Sequence, residues 1–158
     1  MKRMLKAALN WLRSLSGLGE ERDMANAFNP QNWGVNDGIK TYKADAAITR
    51  YYLVKGGSDV NHVAVSAAAN DVIFGVALDQ AEVAEDPIAV FILGAARGTV
   101  PVVAVGALAI GAELGNNGNG TVKAAAGAAY SLGTALTASL AALDVIEMAP
   151  RTSPTIHV

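Results

Sequence analysis

The chain has 158 residues with two histidines, fourteen carboxylates and no cysteine, and these bound the chemistry available to it. Without cysteine there is no disulfide, no thiolate nucleophile and no cysteine-ligated metal. His62 borders a strand-like segment and His157 lies in the tail, so each reads as a hydrogen-bonded or solvated residue rather than a ligand. Asp79, Glu82, Glu85 and Asp86 form the densest acidic group, but lack the alternating spacing of a calcium loop and read as a solvated loop face. Gly115–Gly120 holds glycines without the lysine and hydroxyl residue of a phosphate loop, and its Asn-Gly pairs favour a hairpin turn. Ser58, Ser66, Ser131 and Ser139 have no nucleophile-elbow context. The expectation is therefore a protein with no catalytic residues, no cofactor and no metal site: not an enzyme.

The elements that would position these residues are short, rich in Val and Ile, and punctuated by glycine. Strands are expected at Ile39–Lys43, Tyr51–Val54, His62–Ala67, Val72–Leu78, Ile88–Leu93 and Thr99–Val105. Weaker candidates are Ala112–Leu114, Thr121–Ala124, Ala135–Leu140 and Asp144–Met148. Turns fall at Gly56–Asp59, Ala84–Pro87 and Gly115–Gly120. Residues 124–142 are ambiguous: alanine favours helix, while Gly127, Gly133, Thr134 and Thr137 oppose it, so a loop or short helix followed by a strand is expected. Many short strands at this spacing make an all-β body, a small β-barrel or β-sandwich over residues 40–149.

The flanks differ from the body. Met1, Met4, Leu5, Ala8, Leu9, Leu12 and Leu15 recur at spacings of three and four, with Lys2, Arg3, Lys6 and Arg13 mostly off that stripe. Residues 1–23 therefore read as an amphipathic helix and charged linker, which docks on protein in the favoured reading and on a membrane surface in the other. No small-residue cleavage site follows the basic start, which argues against a signal peptide. Residues 24–39, with Asn29-Pro30, Gly34 and Asn36-Asp37-Gly38, read as an extended arm, and Pro150–Val158 as a second one. Leu5, Leu9 and Leu12 on the helix and Asn29, Trp33 and Asn36 on the arm are the expected partner contacts. Hydrophobic residues reach 52% but aromatics only 6%, so the core is thin and assembly is expected to add stability. A net charge of −2 argues against a nucleic-acid surface, and no apolar run is long enough to span a membrane.

Four stretches resemble the tailed-phage capsid decoration, or cement, proteins of the small glycine- and alanine-rich β type. They are Tyr42–Ile48 with Leu53-Val54, Phe74–Ala81, Asp86–Gly94, and Gly133–Leu136 with Asp144–Met148. The chain departs from that pattern at Asp45 and Tyr51, where smaller residues are usual, and in its N-terminal helix. The resemblance implies a non-enzymatic virion protein on the capsid exterior, present in the host cytoplasm during assembly. It would bind the major capsid protein, form homotrimers and stabilise the shell. Strand edges that pair with capsid strands would be one route of attachment. The alternative is a β-rich surface or host-interaction module.

Overall fold

A computed structural model describes residues 38–126 and 130–156 of the chain. The expected N-terminal helix, and all of the expected arm except Gly38 and Ile39, lie outside the described residues. The body is all-β, with ten strands and no helix among the described residues. The first five are β1 (Ile39–Ala44), β2 (Leu53–Gly56), β3 (His62–Val65), β4 (Gly75–Ala77) and β5 (Pro87–Ile92). They close into a barrel in the order β1-β3-β2-β4-β5. The second five are β6 (Val100–Val103), β7 (Glu113–Gly118), β8 (Thr121–Ala124), β9 (Tyr130–Ala135) and β10 (Val145–Ile156). They form a sheet in the order β6-β10-β9-β7-β8, whose ends meet through a parallel bridge between Ala104 and Val122.

These two halves are one unit repeated. Parallel β1–β3 pairing (Ala44 with Val63) recurs as the Ala104–Val122 bridge. The β1–β5 register, Tyr42 opposite Ile88, recurs as Val102 opposite Ile146 in β6–β10. The β2–β4 register, Val54 opposite Gly75, recurs as Leu114 opposite Gly133 in β7–β9. The connections match as well. Ile48 bridges Ala81 across the first barrel, and Leu108 bridges Ser139 across the second. Asp86 accepts backbone hydrogen bonds from Glu82 and Val83 at 2.9 and 3.0 Å; Asp144 does the same for Leu140 and Ala141 at 2.9 and 2.8 Å. Glu85 and Leu143 occupy the same turn position with φ of 71° and 68°.

Each barrel has its own small interior. Tyr42, Ala44, Ile48, Val54, Val63, Ala77, Ala81, Ile88 and Val90 fill the first. Val102, Ala104, Leu108, Leu114, Val122, Ala135, Ser139, Ile146 and Met148 stand in the same positions of the second and are all buried. The substitutions keep volume roughly balanced, as a close-packed interior demands. The hydroxyl of Ser139, in the place of Ala81, lies 2.9 Å from the Gly106 and Ala141 carbonyls and so is satisfied. Glycine is required at one matched site per barrel. A Cβ on Gly75 would sit 2.4 Å from the Phe91 carbonyl oxygen, and one on Gly133 would sit 2.4 Å from that of Ala149.

A further set of buried residues, Leu53, Val76, Phe91 and Ala96, belongs to the cluster that includes the second barrel's core. The outer surface of β2, β4 and β5 is thus covered by the second barrel. The β7–β8 hairpin fixes this junction. Leu53 donates to the Gly120 carbonyl at 2.7 Å, and Gly120 donates to that of Ser66 at 2.9 Å. The buried Asn116 side chain accepts from the Ser66 hydroxyl at 3.0 Å and from the Gly118 amide at 2.8 Å, and donates to the Ala68 carbonyl at 2.8 Å.

Four sequence expectations are corrected here. Gly115–Gly118 belongs to β7, not to a turn, because these residues pair with β8 and place Asn116 in the junction. The strand expected at Ala135–Leu140 lies earlier, at Tyr130–Ala135, since only Gly133 tolerates the close approach of Ala149. The C-terminal stretch is extended but is no free arm: β10 runs to Ile156 and pairs Thr155 with Ser131 beyond a register shift. The first barrel, being closed, also offers no free strand edge for pairing with a partner.

Two predictions follow from this packing. Gly75→Ala and Gly133→Ala should each destabilise the body by about 1–3 kcal/mol in urea unfolding, while Gly56→Ala, where an added Cβ meets nothing within 4 Å, should change it little. Asn116→Ala strands the Gly118 amide and the Ala68 carbonyl at the junction and should cost about 1–3 kcal/mol in the same measurement.

Candidate functional site

The repeat makes each barrel a reference for the other, and the outer surfaces are where they part. At one end of the first barrel the connecting loops carry charge. Lys43 meets Glu85 at 2.7 Å, and His62 lies between Asp59 (Nδ1, 2.7 Å) and Glu85 (Nε2, 2.9 Å). Asp45 accepts from the Ser58 amide at 2.8 Å and its hydroxyl at 2.7 Å, tying the β2–β3 hairpin to the same end. Arg50 donates to the Leu78 carbonyl at 2.8 Å and lies over the Tyr51 ring.

His62 was not singled out by its sequence context, yet its geometry is specific. Both ring nitrogens face carboxylate oxygens, which only accept, so the arrangement selects the doubly protonated imidazolium. Its pKa is accordingly raised, first by the hydrogen bond to Asp59 and then by that to Glu85. Asp59 and Glu85 are lowered in turn, Asp59 mainly by His62 and Glu85 first by Lys43 and then by His62. Only 12% of the imidazole surface remains exposed. The acids expected to share a solvated face have separate duties: Glu85 belongs to this cluster, and Asp86 holds its own loop.

In the second barrel five of the matching positions are aliphatic, while Thr121 stands in the place of His62. Val103 replaces Lys43, Val105 replaces Asp45, Ile110 replaces Arg50, Leu140 replaces Glu82 and Leu143 replaces Glu85. Val103 is buried and the other four are exposed. The segments that carry them are laced together by the Leu108–Ser139 bridge and by the Leu143 amide bonding the Ala104 carbonyl at 2.8 Å.

A third feature is a groove of about 280 Å³ lined by Ala69–Ile73, Asn116, Tyr130 and Leu132. Two of its polar side chains, Asp71 and Asn116, are already engaged. Asp71 takes Lys55 at 3.0 Å and the Ala67 and Ala68 amides at 2.8 and 3.0 Å. The Ala68 amide, then Lys55, then the Ala67 amide bring its pKa down to about 2. Among the described residues, no group of His, Asp and Glu is arranged to hold a metal ion, and no buried side-chain nitrogen or oxygen lacks a partner. The expected partner contacts Leu5, Leu9, Leu12, Asn29, Trp33 and Asn36 lie outside the described residues.

No known family model matches this sequence, and no curated protein matches it. Among solved structures the fold matches the crystal structure of the head fiber gp8.5 N base in bacteriophage phi29. The TM-score is 0.59 and the identity 17%, with 75% of this chain and 98% of that one covered. At that identity the likeness establishes a shared fold.

The charged end sets a pH dependence. The raised pKa of His62 gives stability that is complete below its unfolded value and is lost as pH rises through the folded one. The lowered pKa values of Asp59 and Glu85 give stability that is present above their unfolded values and lost as pH falls through the folded ones. The melting-temperature difference between wild type and His62→Ala should therefore be greatest between about pH 4.5 and 6.5 and shrink on either side. A difference independent of pH would contradict this account of the cluster.

Proposed function

We propose that the protein is a non-enzymatic structural component of a phage virion, fixed to the outside of the head, where it binds the major capsid protein and stabilises the shell. The observation that carries this reading is the extent of the structural likeness: nearly the whole N base of a phage head fiber protein is matched by this fold. The four sequence stretches that resemble decoration proteins point the same way by a separate route.

The chemistry of the body suits this role. The charged groups at the first barrel's end neutralise one another, leaving a compact, self-satisfied surface. Each copy that binds the assembled shell in preference to its dissociated parts adds its own increment of stability, so many copies of modest affinity sum on one shell. The closed first barrel directs attachment away from strand pairing there and toward side-chain contacts and the segments that precede β1.

The test is to add purified protein to shells of the parent phage that lack it. Co-sedimentation with the shells and a disruption temperature several degrees higher are expected. Shells that neither bind the protein nor gain heat resistance would refute the proposal.

A further inference from the structure

We propose that the aliphatic end of the second barrel is a self-association surface whose occupant is a second copy of this chain. Self-association in solution is read without shells, so this inference stands or falls separately from attachment to a head.

Three observations carry it. The first is the comparison between repeats. Where one fold is used twice, a loop position has the same backbone and the same neighbours in both copies, and a difference in side chain reports a difference in surroundings. Lys43 and Glu85 form an ion pair in water; Val103 and Leu143 occupy those sites in the second barrel. Asp45, Arg50 and Glu82 become Val105, Ile110 and Leu140. Interior positions, by contrast, stay apolar in both barrels, apart from the satisfied Ser139. Four of the five changes lie on the outside; the fifth, Val103, is buried where Lys43 is exposed.

The second observation is a cost accepted at Leu143. Its φ of 68° lies in the left-handed region, where glycine or asparagine is least strained. The side chain held there is a leucine, 64% exposed, so neither backbone ease nor the protein's own core accounts for it.

The third is area and charge. Val105, Ile110, Leu136, Leu140, Leu143 and Val145 are between 41% and 89% exposed. Together they offer on the order of 600 Å² of aliphatic surface, at the upper end of what a monomer shows to water. A stable interface takes about 800 Å² from each partner, so this end and its rim suffice for one. The neighbouring Asp144 carboxylate is held by the Leu140 and Ala141 amides, so its charge is turned onto its own loop. The first barrel's end carries Lys43, Asp59, Glu82 and Glu85 and is a poorer match for an aliphatic surface than a copy of that surface itself.

The experiment is sedimentation equilibrium of the full chain over a wide concentration range, at low salt and at about 1 M salt, where ion pairs between exposed charges are screened. Wild type should associate at both. Leu140→Asp combined with Leu143→Asn should weaken association at least a hundredfold, with the β-sheet circular dichroism and melting transition retained. Val83→Asp, at an exposed apolar site in the matching loop of the first barrel, should leave association unchanged. The cysteine-free chain allows a check that needs no disruptive substitution: a maleimide should label Leu140→Cys slowly in the associated state and quickly on dilution. Wild type that stays monomeric throughout would overturn the proposal. So would association that survives the double substitution, that dissolves in salt, or that leaves Leu140→Cys equally reactive at all concentrations.

Discussion

The arrangement depends on one buried amide. Asn116 accepts from Ser66 and Gly118 and donates to Ala68, and so fastens the β7–β8 hairpin of the second barrel to the ends of β2 and β3 in the first. Around it, Gly120 completes the join by taking a hydrogen bond from Leu53 and giving one to Ser66. At Gly120, φ is 73° and a Cβ would strike the Tyr52 ring at 2.4 Å, so only glycine lets the hairpin sit this close. Two barrels with interiors of nine side chains each are small bodies to stabilise alone. Joined here, they also bury Leu53, Val76 and Phe91 between them, each worth roughly 1.5–3 kcal/mol relative to exposure.

Duplication explains how this chain reaches its size with few large aromatics and no disulfide. The unit needs a strand, a lacing segment, a hairpin and a return, with one glycine where β4 or β9 approaches its neighbour's carbonyl. Those features are kept twice. What differs is the surface: charge held in mutual pairs at one barrel's end, bare aliphatic side chains at the other's. A protein made this way has two distinguishable ends on one rigid body, which suits a role in which one surface meets kin and another meets solvent or shell.

Much of the fold was legible from the residues. Nine of the ten strands overlap the expected segments and only β9 is displaced, so the all-β body follows from their spacing. The errors have physical causes. Tyr51 was included in β2, but its φ of 67° makes it part of a turn, and the strand starts at Leu53. Asn and Gly at 115–118 have turn chemistry, and it is pairing with β8, with Asn116 anchored on the first barrel, that makes them strand. The repeat is not among the expectations from sequence, although its signal is present. Gly75, Ala77, Leu78, Ala84, Asp86 and Ile88 recur at the same spacing as Gly133, Ala135, Leu136, Ala142, Asp144 and Ile146. They read as two unrelated motifs, because Tyr42 against Val102 and Val90 against Met148 hide the likeness between them. The aliphatic end could not be recognised before the repeat was aligned, since exposed leucines in a chain rich in hydrophobic residues carry no signal alone. His62 is hydrogen-bonded, as expected, but its partners Asp59 and Glu85 are not legible in the sequence because they converge only when the barrel closes.

In the proposed role the double barrel sits on the outside of a phage head with its second barrel turned toward other copies. The most direct measurement is an electron cryo-microscopy reconstruction of particles carrying the protein. The predicted result is double-barrel density on the outer shell surface, with Leu140 and Leu143 of adjacent copies packed together and the Lys43–Glu85–His62 end in solvent. Particles without such density, or density in which the aliphatic ends stand apart in water, would contradict it.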